Sequence, residues 1–157
     1  MNKFAPDENA VSISIGFILT FSITVLILVT ILTSFYSLMG QAEQRVMRDE
    51  FEIHGNDIAV KITSIDTMVG YAAETGSTVG YLTYELQLPD KIAGQGYSVI
   101  FTDQTNDIIF VSEEREETVV KVPYSAEDIS ISPTTLYSSS GKHQMTYNPV
   151  SNAIEIS

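Results

Sequence analysis

AVSISIGFILTFSITVLILVTILTSFYSLM, residues 10–39, is the stretch that decides the architecture of this chain. No charged residue occurs from Asn9 to Ala42, and roughly seventeen of these positions are Leu, Ile, Val or Phe. As a helix rising about 1.5 Å per residue the segment exceeds the ~30 Å hydrocarbon layer of a bilayer. At roughly −0.3 to −0.6 kcal/mol for each large apolar side chain, insertion is favoured by about 5 to 10 kcal/mol before smaller costs for Ser, Thr and Gly. A core helix this apolar would need a much larger protein around it than the rest of the 157 residues supplies. A cleaved secretory signal is usually shorter and is followed by a small-residue site. The segment is therefore expected to be a retained transmembrane helix, with residues 1–9 a short leader or tail before it.

Working outward, the remainder of the chain carries the charge. Twenty acidic residues against eight basic give a net charge of −12 while the mean hydropathy stays at +0.11, so apolar and acidic characters are segregated. Such a balance disfavours nucleic acid as a partner. Without a single cysteine, the chain has no disulfide, thiolate metal site or thiol catalysis. Lys3 precedes the span and Arg45 and Arg48 follow it, a charge count that by itself slightly favours a cytoplasmic C-terminal domain.

After the span, Met47, Phe51, Ile58, Ile62, Ile65 and Val69 recur at helical spacing, which predicts an amphipathic extension over residues 40–70. Gly40 and Gly55 are candidate bends, and Gly70 is the expected stop. From residue 77 the period changes to two. Leu82, Tyr84, Leu86 and Leu88 alternate with polar residues, and further strands are expected at 97–102, 108–112, 118–122, 129–132, 143–147 and 153–156. The connections are too short for crossover helices, so all pairing is expected to be antiparallel. The fold class is thus α+β: a long N-terminal transmembrane and amphipathic helix followed by a small antiparallel β-sandwich-like domain over residues 77–157.

Chemistry-bearing motifs are scarce. His54 and His143 belong to no ligand or nucleophile pattern and read as surface histidines; no G-x-S-x-G elbow occurs, and no catalytic residue, metal ligand or cofactor is assigned. Asp103, Asp107, Glu113, Glu114, Glu116 and Glu117 flank a predicted hairpin and motivate an alternative reading as a calcium- or ligand-binding module, though their spacing is not that of an EF-hand. Ser12, Ser14, Gly16, Ser22 and Thr24 are the candidate helix-association residues, since small and hydroxyl side chains permit close approach in lipid. The same hydroxyls can instead bond their own helix. No N-x-S or N-x-T triplet is present.

ENAVSISIGFILTFSITVLILV, residues 8–29, resembles the N-terminal segment of archaeal type IV pilins, whose pattern runs AVSPVIGVILMVAITVILA. Ala10, Val11, Ser12, Ile15 and Gly16 match its opening, and Ile18, Leu19, Ile23, Thr24, Val25, Ile27 and Leu28 its body. Ile13 stands where the pattern has proline. The later stretch from Gln41, with Leu88 to Asp90, is similar to small archaeal pilin-like membrane proteins. The resemblance implies a helix that anchors in the cell membrane or packs in a surface filament, with the β domain extracellular. It also implies a processing site between Asn9 and Ala10. Expected partners are the lipid bilayer, further pilin-like subunits or copies of the chain itself, and surface-layer protein. A stator-like accessory protein of a motility filament is the alternative within this class.

Overall fold

The computed structural model describes residues 8–102, 105–113 and 118–157, with side chains of the first helix described from Ser14 onward. One helix, α1, runs Glu8–Glu74. Among the described residues eight strands follow: β1 Leu82–Leu86, β2 Tyr97–Phe101, β3 Asp107–Ser112, β4 Val119–Pro123, β5 Ser130–Ile131, β6 Thr134–Tyr137, β7 His143–Asn148 and β8 Ala153–Ile156. They form two four-stranded sheets, ordered β1-β7-β8-β5 and β4-β3-β2-β6. The α+β class read from the sequence is the observed one.

The chain divides into two compact units, Met1–Ala42 and Glu43–Ser157. The first is the apolar part of α1. No proline interrupts α1, and Gly16 and Gly40 stay helical within it.

In the second unit the amphipathic part of α1 supplies the predicted stripe. Met47, Phe51, Ile58, Ile62 and Ile65 are buried and Val69 packs against them. Burial of such side chains is worth about 1.5–3 kcal/mol each, which is why the spacing is diagnostic. The stripe shares one core with both sheets: Tyr97, Val99 and Phe101 of β2, Ile108 and Phe110 of β3, and Met145, Tyr147, Ile154 and Ile156 of β7 and β8. Antiparallel register sets Val99 opposite Phe110 and Tyr147 opposite Ile154, so alternate residues of neighbouring strands present one buried face. The rings of Phe51 and Phe110 lie 5.2 Å apart and those of Phe51 and Tyr97 5.3 Å apart, joining helix to sheet at the centre. Gly55 falls on the same stripe. A Cβ there would stand 2.5 Å from Val122 Cγ2 and 3.3 Å from Phe110, so this glycine marks a close approach of helix and sheet, and α1 continues through it.

Three expectations are corrected. Gly70 does not end the helix, because Tyr71-Ala72-Ala73-Glu74 continues it. The stop is Gly76, at φ +70, where Gly76 N–H donates to the Ala73 carbonyl and Ser77 N–H to the Ala72 carbonyl, at 3.2 and 2.8 Å. That pair of bonds is the Schellman arrangement, and a left-handed φ is what favours glycine there. The pairing is also not wholly antiparallel, since β5 runs parallel to β8 over Ser130↔Ala153 and Ile131↔Ile154. No crossover helix is needed, because the intervening chain contributes β6 to the other sheet and then returns as β7. Finally, β6 was not expected as a strand; of its four residues only Leu136 is buried.

Candidate functional site

Between Ser14 and Met39 every described side chain of α1 is exposed, including the large apolar residues from Ile15 to Met39. Among the described residues this is one helix long and apolar enough to cross a membrane. Its hydroxyl groups are already engaged. Thr20, Ser22, Thr24, Thr30, Thr33 and Ser34 each donate to the carbonyl four residues earlier, at 2.8–2.9 Å. In an apolar surrounding that bond removes the cost of an unpaired hydroxyl. The candidate association residues do not form one face: Ser22 and Thr24, like Ser14 and Gly16, are two positions apart and project to opposite sides of the helix. A Cβ on Gly16 would meet nothing within 4 Å. Asn9, Ala10 and Ser12 lie in α1, with side chains outside the described residues.

In the second unit the predicted acidic cluster does not assemble from what is described. Asp107 opens β3 and Glu113 follows its far end, about 20 Å away along an extended strand. Asp103, Glu114, Glu116 and Glu117 lie outside the described residues. Among the described residues no group of three His, Asp or Glu side chains could hold a metal ion.

Of the two histidines, His143 is not the surface residue expected, whereas His54 is only partly covered. His143 is 4% exposed, with Nε2 3.1 Å from the Tyr137 carbonyl, and it alternates with Met145 and Tyr147 on the buried face of β7. His54 is half-buried and sits 3.6 Å from Glu50 one helical turn away.

The most constrained polar group is one the sequence reading missed. Asp66, 8% exposed, accepts at a single oxygen the backbone N–H groups of Glu127, Asp128 and Ile129, at 3.0, 2.8 and 3.2 Å. A buried carboxylate is tolerable only when so satisfied, and this one fastens the helix to the segment before β5. The Asp128 side chain occupies the space a Cβ on Gly70 would need. Asn152, at φ 50, holds the other side of the segment by donating to the Asp128 carbonyl at 2.7 Å, and Tyr147 donates in turn to Asn152 at 2.9 Å. The available signal was position: Asp66 lies four residues after Ile62, on the apolar stripe itself.

Tyr97 is the other buried polar side chain with a defined task. Its hydroxyl donates to the Pro89 carbonyl at 2.7 Å, and burial, assisted by the charge of Asp90, pushes the phenol well above its ordinary range. A groove of about 510 Å³ runs between α1 and the chain after β4, lined by Asn56, Val60, Thr63 and Tyr124 among others, with no carboxylate, imidazole or amine in its wall. That wall offers contact area, with the Tyr124 phenol as its one titratable side chain.

The molecule is thus of a defined kind: an exposed apolar N-terminal helix leading into a two-sheet β domain built around that helix's second half. The chain belongs to DUF7266, a family of unknown function, whose model matches residues 6–157. No curated protein and no solved structure matches it.

Proposed function

We propose that this protein is a non-enzymatic, pilin-like component of the cell surface, held or assembled through α1, with its β domain outside the cell. The observation that carries the reading is the contrast within α1: the side chains from Ser14 to Met39 are all exposed and none is charged, whereas Met47, Phe51, Ile58, Ile62 and Ile65 are covered by the chain's own sheets. A surface of that size in water draws lipid or other apolar helices over it. The pilin resemblance of residues 8–29 supports a cell-surface placement and the outward orientation.

The test separates sheared surface filaments from washed membranes and maps the N-terminus of the protein in each. A chain beginning at Ala10 in the filament fraction makes it a filament subunit. An intact chain confined to the membrane makes it an anchored pilin-like accessory protein. Recovery in the soluble fraction after carbonate washing overturns both.

A further inference from the structure

Within the domain unit, α1 carries a second apolar line on the side away from the sheets. Val46, Ile53 and Val60 are 51%, 60% and 65% exposed. They are seven positions apart, so they fall on one line that drifts by only about 20° per two turns. Phe51 and Gly55, two positions either side of Ile53, are both buried against the sheet side, which places the line on the opposite side of the helix. Single exposed aliphatics are ordinary, but three β-branched residues seven apart align contact area along one side of the helix, with Asp49, Glu50, Asn56 and Asp57 between them.

The charges nearest the seam are acidic, two of them with a basic side chain beside them: Lys61 at Asp57 and His54 at Glu50. Asp49, Glu50 and Asp57 lie within about 60° of it around the helix, whereas Arg45 and Lys61 stand about 100° away and Arg48 further still. Lys61 is drawn to Asp57, at 2.6 Å. A second copy of the chain laying the same seam against this one would set carboxylates against carboxylates, which opposes self-pairing. Beside Val60 the groove bounded by Tyr124 gives the neighbouring surface room for incoming side chains.

We infer that the Val46–Ile53–Val60 seam docks an amphipathic helix of a different protein, apolar at heptad spacing and flanked by lysine or arginine. The apolar line supplies contact area and the acidic flank selects the partner's charge. The inference concerns the domain's own face and does not depend on the pilin-like reading, which is tested in cells.

The full-length chain in phosphatidylcholine nanodiscs is titrated with a synthetic helical peptide of about four heptads, with leucine at its seam and lysine on both flanks, against the same peptide flanked by glutamate. Binding to empty discs is subtracted. The lysine-flanked peptide is expected to bind at least about tenfold more tightly, and Ile53→Ser to weaken it about tenfold while leaving the melting of the β domain unchanged. Equal binding of the two peptides overturns the inference. So does undiminished binding by Ile53→Ser, or equally tight binding of a lysine-flanked peptide with serine along its seam, which would be charge attraction alone. Disulfide capture of an Ile53→Cys chain by a second copy, in place of peptide binding, also overturns it.

Discussion

The two parts of α1 use nearly the same apolar residues to opposite ends. From Ser14 to Met39 they are distributed all round the helix and none is covered, whereas from Met47 to Ile65 most lie on one stripe covered by sheet and only Ile53 and Val60 are exposed. The difference lies between the apolar residues rather than in them. Hydroxyl side chains that bond their own helix separate them in the first part, and carboxylates that need water separate them in the second. An uninterrupted apolar surface is compatible with lipid, while a striped one requires a folded partner, here supplied by the same chain.

If this contrast is correct, damage to each part should stay in that part. Phe51→Ala removes the ring that meets both Tyr97 and Phe110, and it is expected to cost the domain about 3–5 kcal/mol. Chemical denaturation followed by near-ultraviolet circular dichroism would read this, with carbonate-resistant membrane retention unchanged. Leu26→Asp should do the reverse, disfavouring insertion by about 3–4 kcal/mol with no shift in domain melting. Loss of membrane retention by Phe51→Ala, or of domain stability by Leu26→Asp, would break the comparison.

Smaller effects sharpen it. The phenol of Tyr97 is raised in the folded domain, so its contribution to stability is fully present below the ordinary tyrosine value near pH 10 and is lost as pH rises above that. Tyr97→Phe is expected to cost about 1 kcal/mol at neutral pH, through loss of the bond to the Pro89 carbonyl, and to flatten the alkaline limb of the stability profile. An unchanged limb would mean that another group governs it. Smallest of all, Thr24→Val removes a hydroxyl already bonded to the Thr20 carbonyl and should change insertion by less than about 0.5 kcal/mol. A large effect, measured by glycosylation mapping of insertion, would show that this hydroxyl serves a neighbouring helix.

The fold was legible where periodicity carried it. The apolar run, the stripe from Met47 to Ile65 and the strand Ala153–Ile156 can be read because burial imposes a period of its own on the sequence. What escaped was set by contact at a distance. Gly70 and Gly76 look alike in isolation, and only the helix-forming Tyr71–Glu74 after the first separates them. β6 is too short, with one buried residue, to show alternation, and of β5, expected within 129–132, only the parallel partner was hidden. His143 looked like a surface residue because its neighbours Lys142 and Gln144 are polar, although the pleat turns it inward. The candidate site was less legible than the fold. Small and hydroxyl residues mark composition and not a face, and the helix scatters Ser14, Gly16, Ser22 and Thr24 around its axis.

The bond from Asp66 also sets an order in time. Its amide partners begin 61 residues later in the chain. At a synthesis rate of roughly 5–20 residues per second, about 3–12 s separate the making of Asp66 from the making of the segment that fastens it. Within that interval β1 to β4 are made in turn, so Phe51 is offered Tyr97 and Phe110 before Asp66 is offered its amides. The amphipathic half of α1 is therefore made before every strand that holds it, and its fastening by Asp66 becomes possible before β5 to β8 exist.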